Sequence, residues 1–245
     1  MHNPGNNSGM NVEFDVIIVG SGLVGAACAL ALSRQNLKIA LIESQAASGP
    51  PDSTLDSRVY AISPGNMTWL ESLGLRDLMD MSRICAIEDM QVQGDDGAQL
   101  ALRSYEADVG SLGFIVENKV LQHALQQSLQ RSNISLITGQ ACSVAWLEGK
   151  AELRLQDGQV FAAQLLIAAD GVNSWLRSQA GIAVTTRDYG QMGVVANFET
   201  ELAHAQVARQ WFRPDGVLAW LPLPGKRISM VWSTSTDYAR HLLTL

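Results

Sequence analysis

Three glycines in "FDVIIVGSGLVGAACALAL", Gly20, Gly22 and Gly25, stand at G-x-G-x-x-G spacing. They follow an apolar, β-branched run, Phe14–Val19, interrupted only by Asp15, and precede an alanine- and leucine-rich stretch of high helix propensity. Strand, glycine turn and helix, in that order, is the context in which this spacing binds a dinucleotide. Gly20 permits the tight turn, Gly22 lets a pyrophosphate approach the backbone, and Gly25 lets the helix pack on its strand. The helix start then offers unpaired N–H groups and a positive dipole end to phosphates. A second strand-like run, "LKIALIE", ends in Glu43, eighteen residues after Gly25, near the spacing of the acid that holds an adenosine ribose. The bland alternatives are a ligand-free glycine turn and a solvated strand-end carboxylate.

Positioning these residues requires a βαβ unit, and the rest of the chain supplies its continuation. "SQAASGPPDSTLDS" has loop composition, and "NMTWLESLGL" spaces Met67, Leu70 and Leu73 as a helix closing near Gly74. Met90–Leu102 alternates around a Gly-Asp-Asp-Gly turn and predicts a hairpin. "ENKVLQHALQQSLQR" is an amphipathic helix, and "NISLI" is a short strand. Three β runs follow, with turns at Glu148-Gly149 and Asp157-Gly158, the last ending as a buried strand, Leu165–Ala169, at Asp170-Gly171. From Gly193 to Ser233 the pattern is strands with Pro-Asp-Gly and Pro-Gly turns.

The motifs "VGSGLVGA" with Glu43, "DSRVYAIS" (Asp56–Ser63) and "LLIAADGVNSWLR" (Leu165–Arg177), in this order, resemble the single-component FAD-dependent aromatic hydroxylases of the para-hydroxybenzoate hydroxylase type. Within that group, "FIVENKVLQHAL", "WFRPDGVLAWLPLP" and "ISMVWS" are similar to the ubiquinone-biosynthesis monooxygenases, over roughly residues 13 to 235. The resemblance implies an α/β fold with a Rossmann-like FAD-binding domain, a mixed sheet and a βαβ start, interleaved with a β-rich substrate domain. The expected boundaries are a disordered tail over 1–12, the FAD-binding domain over 13–85 and 114–187, and the substrate domain over 86–113 and 188–245. The family's later Gly-Asp motif is not found in this sequence, so the substrate domain is expected to be truncated.

The same resemblance implies FAD as cofactor, NAD(P)H and O2 as cosubstrates, and a flavin C4a-hydroperoxide that hydroxylates an aromatic ring, here a polyprenylated phenol. Carried onto matching positions, Gly20, Gly22, Gly25 and Glu43 bind FAD, Arg58 lies near its flavin and pyrophosphate, and Asp170 and Gly171 form the family's Asp-Gly signature. The bland roles are a surface arginine for Arg58 and a helix cap or Asx turn for Asp170. Arg177 either pairs with Asp170 or faces a phosphate. Glu117 and Asn118 begin a helix in the segment that approaches FAD in the family, or are plain helix-start residues. Trp211, Phe212, Trp220 and Trp232 either pack a core or line an apolar cavity. No catalytic side chain is named, because the flavin carries the chemistry. Another FAD oxidoreductase, such as a prenyl reductase, and a non-catalytic FAD-fold scaffold are the competing readings.

Composition limits the alternatives. With 17 basic against 24 acidic residues, net charge −7, and no Lys/Arg cluster, the chain has no nucleic-acid footprint. Its 3 cysteines and 4 histidines fall in no metal or disulfide spacing, which suits a reducing cytoplasm. The leader "MHNPGNNSGMN" lacks the apolar region of a signal peptide, and the longest apolar run is too short to span a bilayer. A cytoplasmic protein is expected, visiting the inner-membrane surface or a ubiquinone-synthesis complex where a prenylated substrate resides.

Overall fold

The computed structural model describes residues 12–44, 49 and 51–244. The tail expected over 1–12 lies outside these residues except for Val12, which already belongs to a strand. The chain forms two compact units. One comprises the described residues of Met1–Gly49 together with Ala124–Val184; the other comprises those of Pro50–His123 together with Thr185–Leu245. Segments 50–85 and 114–123, drawn with the FAD-binding domain in the sequence reading, thus fall in the compact unit that carries the later strands.

In the first unit, β1 (Val12–Val19) leads through α1 (Leu23–Ser33) to β2 (Ile39–Glu43), which pairs parallel to it. The six-stranded sheet is completed by β8 (Ser135–Thr138), β9 (Ala141–Leu147), β10 (Lys150–Leu155) and β11 (Val160–Ala168), in the order β8-β2-β1-β11-β10-β9. Strands β8, β2, β1 and β11 are parallel, whereas β10 and β9 are antiparallel, which is the mixed sheet expected. Central β1 is buried on both faces, with Ile17 and Ile18 fully enclosed, as its apolar composition requires. Asp15, the polar exception, accepts the Lys38 N–H through Oδ2 at 2.6 Å and so fixes the entry to β2. One core cluster packs Phe14, Ile17, Ile42, Leu153, Leu155 and Phe161 together.

The end of β11 departs from the expected buried strand. Burial is confined to Phe161, Ala162 and Ala163, and Leu165 is 51% exposed. The reason is register: β10 pairs with β11 only as far as Ala151 opposite Ala163, so the last residues of β11 are bonded on the β1 side alone. A short helix, α4 (Trp175–Gln179), follows the Asp170-Gly171 turn.

In the second unit, a three-stranded antiparallel sheet has the order β3-β7-β4, formed by β3 (Val59–Ile62), β4 (Ile84–Ile87) and β7 (Gly113–Glu117). Between β3 and β4, α2 (Pro64–Ser72) starts earlier than the apolar spacing indicates. Ser63 caps it, its Oγ accepting the Asn66 N–H at 3.2 Å, and Pro64 occupies the first turn. The predicted hairpin forms as β5 (Asp89–Gln93) and β6 (Gln99–Arg103). These join β12 (Gln191–Glu199), β13 (Val207–Arg213), β14 (Gly216–Leu223) and β15 (Arg227–Ser235) in a sheet ordered β12-β15-β14-β13-β5-β6. Helix α3 (Asn118–Gln130) follows β7 directly, and α5 (Thr236–Leu242) follows β15.

Candidate functional site

The carboxyl ends of β1, β2 and β11 converge where the chain order of the first sheet reverses, the position at which doubly wound sheets bind ligands. A pocket of about 680 Å3 opens there, lined among others by Gly20, Gly22, Glu43, Gly139, Asp170 and Trp175. The glycines divide their labour in a way the spacing alone only outlines. Gly20 adopts φ +102°, and a Cβ there would collide with the backbone of Ala169 and Asp170. At Gly25 a Cβ would fall inside the Gly20 carbonyl. Both are therefore required by the fold itself. At Gly22 the backbone is ordinary and a Cβ would meet nothing within 4 Å, so the space it leaves faces the pocket.

Gly22 is also the N-cap of α1, with no side-chain cap and no acidic residue in the first turn. The helix start is left without a side-chain acceptor, as an anion site requires. Glu43 closes the other side. Its Oε2 accepts the Ser21 N–H at 2.8 Å and the Ser21 hydroxyl at 2.6 Å, and its Oε1 accepts the Ser44 N–H at 2.8 Å and hydroxyl at 3.2 Å. Partial burial pushes the Glu43 carboxyl up, but these four donors outweigh it and hold the group below its ordinary 4.5. A ribose diol reaching Glu43 would take the places of the two serine hydroxyls, because a carboxylate has about four acceptor positions. The uncapped helix, the vacant side of Gly22 and the Glu43 carboxylate fit the pyrophosphate and ribose of a dinucleotide.

Asp170 takes the capping role weighed in the sequence. Ser174 Oγ donates to its Oδ1 and the Leu176 N–H to its Oδ2 at 3.1 Å, while Ser174 itself caps α4 by accepting the Arg177 N–H at 3.0 Å. Burial raises the Asp170 carboxyl, and these bonds bring it net below 3.8. Asp170 and Gly171 nonetheless line the pocket, with Gly171 at φ +92° making the turn. Arg177 does not pair with Asp170. Its Nη2 donates to the Val172 carbonyl at 3.0 Å.

Arg58 belongs to the second unit and is exposed, and among the described residues no hydrogen bond or ion pair engages its guanidinium. Its backbone is held at both ends: the N–H donates to Asp56 Oδ1 at 3.0 Å, and the carbonyl accepts the Asn118 N–H at 2.9 Å. Glu117, read as beginning a helix either near FAD or as a plain helix-start residue, is instead the last residue of β7, fully buried and bonded twice to Arg83, from Nε to Oε1 at 2.9 Å and from Nη2 to Oε2 at 2.6 Å. Sequence reasoning missed Arg83, which lies 34 residues from its partner in a segment with no motif.

In the six-stranded sheet of the second unit, register places Trp211, Leu218 and Trp232 across from one another, and Trp220 on the same face. Trp211 and Trp220 meet edge to face at 5.0 Å, Arg213 sits 5.4 Å over Trp232, and Phe212 points to the opposite face. A pocket of about 460 Å3 lies against Trp211, Leu218 and Trp220.

The sequence profile of the FAD binding domain family matches residues 13–244. The chain belongs to that family. Its curated relatives include a ubiquinone hydroxylase, UbiL, of Rhodospirillum rubrum, 35% identical over 235 residues, which is 94% of this chain and 54% of that protein. The human mitochondrial ubiquinone biosynthesis monooxygenase COQ6 is 36% identical over 255 residues (95% and 53%). The 3-demethoxyubiquinol 3-hydroxylase of Escherichia coli K12 is 33% identical over 235 residues (95% and 60%). The chain spans about half the length of the curated relatives it matches. Among solved structures, PqsL, described as a probable FAD-dependent monooxygenase from Pseudomonas aeruginosa, superposes with TM-score 0.78 at 22% identity, over 95% of this chain and 63% of that one. The α/β fold and the FAD-binding family read from the sequence are thus established, and the chain is similar to monooxygenases of ubiquinone biosynthesis. No helix among the described residues is long and apolar enough to cross a membrane.

Proposed function

We propose that the protein is an FAD- and NAD(P)H-dependent monooxygenase that hydroxylates the ring of a polyprenylated phenol in ubiquinone biosynthesis. The observation that carries the reading is the pocket of the first unit, whose open side at Gly22 and uncapped α1 suit a pyrophosphate, in a chain related to ubiquinone hydroxylases. In this reading the first N–H groups of α1 bind the phosphates, Glu43 accepts the ribose hydroxyls, and the Asp170-Gly171 turn forms the facing wall. Arg58 supplies a fixed positive charge to an anionic cofactor in a protein of net charge −7. FAD bound there would supply the redox chemistry that activates O2, with NAD(P)H as the reductant. The protein's own task is to orient the phenol and exclude water.

The tryptophan-bearing sheet is the proposed source of the apolar wall for the substrate. Each methylene of a prenyl tail transferred there contributes about 0.8 kcal/mol, enough over several units to select a lipid without a charged anchor. Such a substrate brings the protein to the surface of the inner membrane or to a ubiquinone-synthesis complex. The test supplies purified protein with FAD, NAD(P)H and either prenylated or unprenylated phenols, and follows NAD(P)H oxidation together with ring oxygenation. Oxygenation favouring the prenylated phenol is expected. Preference for the small phenol overturns the substrate assignment, and NAD(P)H oxidation without oxygenation of either moves the protein to the other FAD oxidoreductases.

A further inference from the structure

Strand β13 carries two arginines on the face of its tryptophan, and the sheet treats them differently. Alternation along the strand puts Arg209, Trp211 and Arg213 on one side of the pleat. Across the ladder to β14 they meet Trp220, Leu218 and Gly216 in that order. Arg213 is committed: its Nε donates to Asp215 Oδ1 at 2.9 Å, and its guanidinium lies over the Trp232 ring. Arg209 is part-buried, yet among the described residues its guanidinium makes no hydrogen bond, ion pair or ring contact. The other flank leaves it unpaired as well. Its register partner on β5 is Gln91, and Asp89, two residues along β5 on the same face, forms no ion pair with it.

Taking a cation partly out of water is unfavourable unless an acceptor compensates it. The bland reading is that the Arg209 stem covers apolar surface while its head reaches water. The surroundings favour a ligand. Trp211 and Trp220 meet edge to face and, with Leu218, line the pocket of about 460 Å3, and Trp220 stands one strand spacing, about 5 Å, from Arg209. An aromatic ring seated on the tryptophans therefore lies beside an unspent guanidinium. The pocket's own charges also choose among oxygen-bearing rings. Arg213 is matched by Asp215, and Asp95 in the lining adds a negative charge. That excess disfavours a ring that arrives as a carboxylate, whereas a phenol enters neutral and ionises only beside the cation.

We infer that Arg209 is the polar anchor of the tryptophan-lined site, holding the ring oxygen of a phenol and stabilising it as the phenolate. The inference rests on the substrate wall proposed above. The proton of the phenol passes to solvent. Because a guanidinium keeps its charge at any working pH, Arg209 favours the phenolate without titrating itself.

The test needs no flavin. The 245-residue chain is titrated with para-nitrophenol, whose phenolate is coloured, while tryptophan fluorescence reports occupancy. Saturable quenching is expected in the parent, with the bound phenol ionising about one pH unit below the free one. Arg209→Met keeps the apolar stem; it should weaken phenolate binding about tenfold and abolish the ionisation shift. Arg209→Lys should restore most of the shift, which a merely structural role would not do. The methyl ether para-nitroanisole, which cannot ionise, should bind parent and Arg209→Met alike, and an equal loss for the ether marks a structural role and overturns the inference. Unchanged affinity and ionisation of para-nitrophenol in folded Arg209→Met overturn the anchor and leave the tryptophan wall standing. Tighter binding of para-nitrobenzoate than of para-nitrophenol overturns the phenol assignment. A bound phenol that ionises as it does in water refutes the inference from the parent alone, even if Arg209→Met does not fold. No binding of either phenol or ether by the parent refutes the wall, and the anchor with it.

Discussion

In the proposed reading, the glycine pocket of the first unit and the loop before β3 in the second, around Asp56, offer positive potential in two different ways. The first uses backbone: an uncapped helix start beside a residue with no side chain. The second uses a side chain, Arg58, whose backbone is bonded to Asp56 at its N–H and to Asn118 at its carbonyl, in a unit that also holds the buried Arg83–Glu117 ion pair. Backbone dipoles need only a correct turn and contribute little charge, so the sequence there is constrained at a few glycines. A side-chain charge must be both anchored and kept from its neighbours, so it recruits residues from several elements.

Different breakages follow from that contrast. The largest is expected at Glu117→Ala, which leaves Arg83 without its carboxylate in a mostly enclosed position and should destabilise by about 3–5 kcal/mol, measured by urea unfolding. Gly25→Ala should follow at about 1–3 kcal/mol, because the new methyl displaces the Gly20 carbonyl and strains the turn. A Gly25→Ala protein as stable as the parent would contradict the packing assigned to that residue. Ser174→Ala removes the cap of α4 and a partner of Asp170, and a loss of about 1 kcal/mol is expected.

Acid titration sharpens the comparison with the least perturbation. Glu43 and Asp170 of the pocket are both held below their ordinary values, whereas hydrogen bonds from Lys119 and Thr54 take Asp52 of the loop to about 2. A carboxyl whose folded pKa is depressed contributes stability that is present above its unfolded value and lost as pH falls through the folded one. The pocket carboxylates should therefore lose their contributions below their ordinary 4.5 and 3.8, with that of Asp52 declining below 3.8 and lost fully only as pH falls through about 2. Carboxyl NMR shifts followed against pH check the order; an Asp52 midpoint at or above 3.8 would contradict the Lys119 contact.

The same contrast explains what could be read in advance. The βαβ start, the 90–102 hairpin and Glu43 were legible because their signals are local: glycine spacing, alternation and a strand-end acid within one segment. The earlier start of α2 was missed because the Ser63-Pro64 cap precedes the apolar pattern. The partial exposure of β11 was hidden because it depends on where β10 stops pairing. Arg83 and Asn197 were invisible for a stronger reason. Their partners, Glu117 and the Asp56 carbonyl, lie 34 and 141 residues away, and nothing in their own neighbourhoods distinguishes them from surface residues.

The central claim, that the pocket beside Gly22 receives the pyrophosphate of FAD, is tested most directly by titrating FAD into the parent chain and Gly22→Val. A Cβ added at Gly22 meets nothing within 4 Å and the backbone there is ordinary, so the variant should fold with parental circular dichroism and unfolding midpoint. The valine would nevertheless occupy the space left for the phosphates. The account predicts saturable FAD binding by the parent and its loss in folded Gly22→Val. Equal FAD affinity in the two folded proteins would contradict it.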